Sequence, residues 1–174
     1  MTAPLPPQTP RIGLGSDRHA LVPGRRCVLG GVLFEDSPIG PLGHSDADAI
    51  LHALTDALLG AAGLEDLGTL FPDSDPQWSG ADSTQLLQAA LQQVKQAGLR
   101  CWSADIVAVC MEPKIGPRRS LIRARLGALL ELPEDRVNLK GKTPEGNESG
   151  PAVIEVTAVV LLGPADDVLD AEKA

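Results

Sequence analysis

Tyrosine is absent from this 174-residue chain, and two tryptophans and two phenylalanines are its only aromatic residues. A protein this poor in rings has no stacking platform for bases. Positive charge is also in deficit: 15 Lys and Arg face 23 Asp and Glu, for a formal net charge of −8. That balance argues against nucleic acid as a partner. It does not argue against a small phosphorylated ligand, because metal ions can supply the local positive charge. No apolar run approaches the ~18–20 residues of a bilayer span, so no membrane partner is expected. Residues 1–10 are Pro-rich, with neither the basic start nor the apolar stretch of a signal peptide, and read as a disordered tail. Cys27, Cys101 and Cys110 are odd in number, widely spaced and set in apolar surroundings. They read as buried, reduced thiols in a cytoplasmic protein. What remains, with hydrophobic residues at 43%, is enough for one domain with a real core. It is expected over residues 11–163, followed by an acidic tail over 164–174.

Histidine is scarce too, and its placement is informative: all three fall in two short segments. The first segment, residues 43–56, reads as a helix start and a helix. Ser45 is a candidate N-cap, and Asp48 three residues on completes a capping-box pattern. Ala47, Ile50, Leu51, Leu54, Leu58 and Leu59 recur at the helical period and mark a core face. A second stripe, His44, Asp48, His52 and Asp56, repeats every four residues. The third histidine lies in Gly13-Leu14-Gly15-Ser16-Asp17-Arg18-His19. If that segment is extended, Asp17 and His19 share a face. Together with His52 they offer one oxygen and two nitrogens, the ligand set of a catalytic zinc with a fourth position open. The alternative is that Asp48 only caps the helix and His52 is an ordinary core or surface histidine.

The remaining pattern predicts strands over 11–21, 27–34, 102–111, 137–142 and 152–162, with helices over 46–61, 84–97 and 118–132. Asp82 or Ser83 is the expected cap of the second helix. The fold expected is α+β: a four- to five-stranded mixed sheet with three helices on one face. The uncovered apolar face then calls for a homo-oligomer. Lys114 sits between prolines, after a strand and before a helix start, where anions bind, although a solvated lysine reads the same way. Thr143 and Glu145 follow a strand end, where a hydroxyl and a carboxylate can orient a phosphate and hold Mg²⁺, or simply form a turn. Residues 65–76 read as an acid- and Pro-rich loop, whose stretch from Phe71 to Pro76 either accepts from the hydroxyls of a polyol or is solvated.

Taken together these segments resemble the 2-C-methyl-D-erythritol 2,4-cyclodiphosphate synthases of the non-mevalonate isoprenoid pathway. The resemblance rests on residues 11–19, His44-Ser45-Asp46-Ala47-Asp48 through His52 to Ala61, Asp66-Leu67-Gly68, Phe71-Pro72-Asp73-Ser74-Asp75, Gly80-Ala81-Asp82-Ser83 and Pro113-Lys114. It implies Zn²⁺, or another divalent transition metal, at Asp17, His19 and His52. It further implies that His44, with Ser45 beside it, meets substrate phosphate and steadies the transition state, that Thr143 is the second residue to steady it, and that Glu145 ligates Mg²⁺ or Mn²⁺ with the substrate diphosphate. Asp66, Gly68, Phe71, Pro72, Asp73, Ser74 and Asp75 match the methylerythritol pocket. Cys110, Pro113 and Lys114 match part of the cytidine pocket. The implied substrate is a cytidine diphosphate-linked methylerythritol phosphate, and the implied assembly is a homotrimer with active sites at subunit interfaces. The implied reaction is an intramolecular attack of the 2-phosphate on the β-phosphorus that closes a cyclic diphosphate and expels CMP.

One stretch departs from the family pattern. Where the family has a Gly-Phe-Thr-Gly-Arg-Gly-like loop, this chain reads Gly146-Asn147-Glu148-Ser149-Gly150-Pro151, shorter and without the Phe or Arg. Lys142 is a candidate to replace the missing positive charge. The altered loop leaves open a second reading, a binding trimer that turns over poorly. A third, a structural zinc protein, requires a fourth Cys or His that is not evident near the three ligands.

Overall fold

The computed structural model describes residues 9–72, 74–146, 150 and 152–165. The expectations for the two tails beyond these limits, for Asp73 and for 147–149 and 151 lie outside the described residues. Strand β1 (Arg11–Pro23) carries the alternation on which the site depends. Its outward residues Ile12 and Leu14 are 75% and 67% exposed. Its inward residues begin with two glycines. A Cβ on Gly13 would lie 1.8 Å from the Ala57 carbonyl oxygen, and one on Gly15 would lie 2.1 Å from that of Ala53. Glycine at both positions therefore lets helix α1 (Ala49–Ala62) lie directly on the strand. The same face continues through Asp17 and His19, so α1 is held against the strand where those two side chains point.

The main sheet has the order β4-β1-β7-β5-β6, with β4 (Ile39–Pro41), β5 (Leu99–Val109), β6 (Val137–Lys142) and β7 (Val153–Pro164). Only β5 and β6 run parallel. Helix α1 covers β1 and β7, α3 (Ser83–Gln96) packs on α1 and β5, and α4 (Arg119–Leu130) lies against β6. Ile50, Leu54, Leu58, Leu87, Ile106, Leu139 and Ile154 fill the space between helices and sheet and are fully buried. A mixed five-stranded sheet with helices forms, within the four to five strands expected. Its fifth strand, however, is Ile39–Pro41, where the sequence predicts no strand, and the predicted strand 27–34 lies outside it in a separate two-stranded sheet.

Three local expectations need correction. The span 27–34 is not one strand but the hairpin β2 (Val28–Leu29) and β3 (Val32–Leu33). Gly30 and Gly31 turn it with φ of 63° and 71°, the two positive values a type I′ turn requires. The loop 65–76 contains a short helix, α2 (Leu67–Leu70), and a 3₁₀ turn, Pro76–Trp78. The third correction concerns α1. Ala47 has φ of 56°, which breaks the helical path, and Asp48 rather than Ser45 is the N-cap. His44 therefore stands on the preceding loop, and the four-residue stripe survives only as His52 and Asp56.

Candidate metal centre and active site

Asp17 and His19 reach inward from β1, and His52 comes from the first turns of α1 to meet them. His19 Nε2 lies 2.9 Å and His52 Nδ1 lies 3.1 Å from Asp17 Oδ2. The two ring nitrogens are 3.4 Å apart. One ligand atom from each residue lies within 4.8 Å of the others, the only such grouping of metal-ligating side chains among the described residues. Burial alone would push the Asp17 carboxyl up, but hydrogen bonds and charge from His19 and His52 hold it well below the usual carboxylate range. The donor set, one carboxylate and two imidazoles, fits a divalent transition metal with an open position.

The surrounding loop is fixed from several sides. Arg25 donates from Nε to the Pro41 carbonyl at 3.2 Å and from Nη2 to the carbonyls of Gly43 and Ser45, both at 3.1 Å. Gly80 donates its N–H to the His44 carbonyl at 2.8 Å, tying the loop to the start of α3. His44 Nε2 is buried without a hydrogen-bond partner, so it keeps a free valence for a ligand. Ser45 Oγ accepts from the Ala47 N–H at 3.0 Å and lies 3.3 Å from His52 Nε2. Asp48, fully buried, accepts from the N–H groups of Gly30, Gly31, Ile50 and Leu51 and so locks the hairpin to the head of α1. Its role is the cap.

The other expected site residues fall into two groups. Asp56 Oδ1 accepts from the Leu67 N–H at 2.8 Å, and Asp66 caps α2 through the Thr69 N–H at 2.7 Å. Gly68 and Ser74 are exposed and Pro72 half-buried. Phe71, which reads as exposed in the sequence, is buried edge-to-face against Trp78, with centroids 5.0 Å apart. Asp75 caps the following 3₁₀ turn through the Gln77 N–H at 3.0 Å.

The second group sits along the same rim of the sheet but on other strands. His19 pairs with Ile154, Val109 with Glu155, and Val109 also with Lys142. Three strand spacings separate β1 from β6, about 14 Å. Thr143 there is exposed and donates to Glu145 Oε1 at 2.6 Å, and Lys142 is exposed beside them. Lys114 and Glu112 are both about half exposed, with Nζ and Oε1 3.8 Å apart. The Cys110 thiol is buried and donates to the Pro113 carbonyl at 3.4 Å, so only its backbone carbonyl remains for a ligand. The two groups of expected residues thus lie along one rim of the sheet, on strands about 14 Å apart. Arg25, Asp46 and Ser83 are not singled out as site residues by the sequence; Ser83 donates from its N–H and its hydroxyl to Asp46, 37 residues away, a contact that exists only in the folded chain.

The sequence model of the YgbB family matches residues 10–163. A 2-C-methyl-D-erythritol 2,4-cyclodiphosphate synthase of Thermus thermophilus is 49% identical over 152 residues, covering 87% of this chain and 98% of that protein. Its counterpart in Cupriavidus metallidurans is 47% identical over 165 residues, covering 92% and 96%. A solved structure of a 2C-methyl-D-erythritol-2,4-cyclodiphosphate synthase in its CDP-bound form superposes with a TM-score of 0.81 at 47% identity, covering 87% of this chain and 99% of that one.

Proposed function

The chain belongs to the YgbB family, and we propose that it converts 4-diphosphocytidyl-2-C-methyl-D-erythritol 2-phosphate to 2-C-methyl-D-erythritol 2,4-cyclodiphosphate and CMP. The observation that carries this reading is the convergence of Asp17, His19 and His52 beside the ligand-ready His44. A 2-phosphate oxygen forms a bond to the β-phosphorus, and the bond from that phosphorus to the oxygen shared with the α-phosphate breaks, leaving with CMP. Nucleophile and electrophile belong to one molecule, so the protein's main task is to fold the substrate into line, which is worth up to ~7–11 kcal/mol. The attacking oxygen is already anionic, and no general base is needed. Zn²⁺ at Asp17, His19 and His52, and Mg²⁺ or Mn²⁺ with the diphosphate at Glu145, would supply Lewis-acid polarisation and charge neutralisation. His44 and Ser45 orient a substrate phosphate from the loop that Arg25 holds. Thr143, whose hydroxyl donates to Glu145, turns to donate to the phosphoryl oxygens when substrate binds, and Lys142 adds charge where the family's arginine is missing. Asp66, Gly68 and the segment 71–75 enclose the methylerythritol part. The backbone at Cys110, with Pro113 and Lys114, receives the cytidine.

The separation of Thr143 and Glu145 from the metal ligands supports a homotrimer, in which a neighbouring copy brings the missing half to each site. The exposed outer-face residues Ile12, Leu14 and Val159 supply the apolar surface for it. Three free, buried thiols accord with the cytoplasm. The test is CMP release, followed by chromatography, after chelation and again after Zn²⁺ and Mg²⁺ are restored. The expected result is loss and recovery of CMP. Intact substrate with metals restored, while the substrate still binds, would overturn the reading in favour of a non-catalytic trimer.

A further inference from the structure

We infer that Ser83 and Asp46 are positioning residues that set the tautomer and ring orientation of His52, and so decide which of its nitrogens faces the metal site. Ser83 is the first residue of α3 and has no solvent exposure. Its hydroxyl donates to Asp46 Oδ1, and its backbone N–H donates to Asp46 Oδ2 at 3.2 Å. A hydroxyl has one proton. With that proton given to the carboxylate, Oγ meets any further partner as an acceptor. That partner is His52 Nε2, 2.9 Å away. Nε2 therefore carries the imidazole proton, and the lone pair is left on Nδ1, the atom that faces Asp17 and His19.

The second histidine is set by the same logic with the nitrogens exchanged. His19 Nδ1 lies 2.8 Å from the Leu42 carbonyl oxygen, which can only accept, so Nδ1 is the donor and Nε2 keeps the lone pair. The two rings thus present opposite nitrogens to one point, each held from behind by a fixed acceptor. A helix-capping role does not account for the Ser83 hydroxyl. Asp82 is the N-cap of α3, accepting from the Thr84 N–H at 2.8 Å. Ser45 Oγ also lies near His52 Nε2, at 3.3 Å, the longer of the two contacts. Asp46 further accepts from the Asp48 N–H at 3.2 Å, which links the start of α3 to the cap of α1.

This inference rests on the metal reading of Asp17, His19 and His52. Its test is Zn²⁺ affinity, measured by competition with a chromogenic chelator, and the visible spectrum of the Co²⁺-loaded protein. Ser83→Ala keeps the backbone bond to Asp46 and removes the hydroxyl, both as acceptor from His52 Nε2 and as donor to Asp46 Oδ1. The expected result is Zn²⁺ affinity about 10- to 100-fold weaker with an altered Co²⁺ spectrum, in a metal-free form that still unfolds cooperatively in urea, at a lower midpoint because Asp46 loses one donor. Ser83→Thr, which keeps the hydroxyl, restores affinity to within about threefold and returns the spectrum. Wild-type affinity and spectrum in Ser83→Ala would overturn the inference and leave the metal reading standing. A wild-type chain that binds neither Zn²⁺ nor Co²⁺ would overturn both. If the alanine variant does not fold, nitrogen-15 NMR of the zinc-loaded wild type decides: a protonated Nε2 on His52 is expected, and a protonated Nδ1 overturns it.

Discussion

Gly15→Ala tests whether the close approach of β1 and α1 builds the metal site as well as the fold. The added Cβ would stand 2.1 Å from the Ala53 carbonyl oxygen and 2.5 Å from the Ala57 nitrogen. Both are backbone atoms of a helix and have no side-chain rotation to relieve the clash. Ordinary contact begins near 3.4 Å, so strand and helix must part by more than an ångström. Overpacking of this kind costs ~1–3 kcal/mol, and a rigid backbone neighbour puts this position near ~3 kcal/mol. For a chain of this size that corresponds to a fall in Tm of roughly 6–12 °C. The helix residue that must retreat, Ala53, adjoins His52, whereas Asp17 lies two residues along the strand that pushes. Metal coordination tolerates only about ±0.2 Å, so Zn²⁺ affinity is expected to fall at least about tenfold along with Tm. Gly60→Ala is the control: nothing lies within 4 Å of its Cβ position, and alanine there is expected to gain up to ~1 kcal/mol. Calorimetry and chelator competition on both variants give the answer. A Gly15→Ala chain with wild-type Tm and Zn²⁺ affinity would refute the reasoning.

Asp48→Ala strands four N–H donors, two of them on the hairpin turn, and is expected to cost about 3–6 kcal/mol in urea unfolding; a loss under ~1 kcal/mol would contradict the cap. Arg25→Ala frees the carbonyls of Pro41, Gly43 and Ser45 and is expected to lower kcat/KM about 10- to 100-fold through the loose His44 loop, with the fold retained by circular dichroism. Burial pushes Cys27, Cys101 and Cys110 up to about 11, 12 and 11. Thiolate grows as pH rises, so at pH 8 each is at most about one part in 1,000 ionised, and a disulfide reagent should react at least ~100-fold faster once urea exposes the thiols. Comparable native and denatured rates would contradict their placement.

Much of the metal centre was legible because strand alternation is a strict rule. Asp17 and His19 share a face wherever that segment is extended, and only the partner helix had to be supplied. The helix start was not legible. Ser45 and Asp48 both satisfy cap chemistry, and the choice is made by the hairpin N–H groups of Gly30 and Gly31, which are distant in sequence and need a buried carboxylate. The same hairpin was hidden because Val28 to Phe34 reads as one apolar run until its two glycines are seen to turn. Phe71 looks exposed in an acidic loop, but Trp78 seven residues on gives it a partner no local pattern announces. Ser83 and Asp46 lie 37 residues apart, and their bond to each other and to His52 exists only in the folded chain.

The most direct measurement is phosphorus NMR of the wild type and of His52→Ala, each incubated with the cytidine diphosphate-linked substrate, Zn²⁺ and Mg²⁺. The expected result is cyclic diphosphate signals from the wild type, with one CMP for each ring closed, and unchanged substrate with His52→Ala. Cyclic product at the wild-type rate from His52→Ala, or substrate left intact by the wild type, would contradict ring closure at the Asp17–His19–His52 centre.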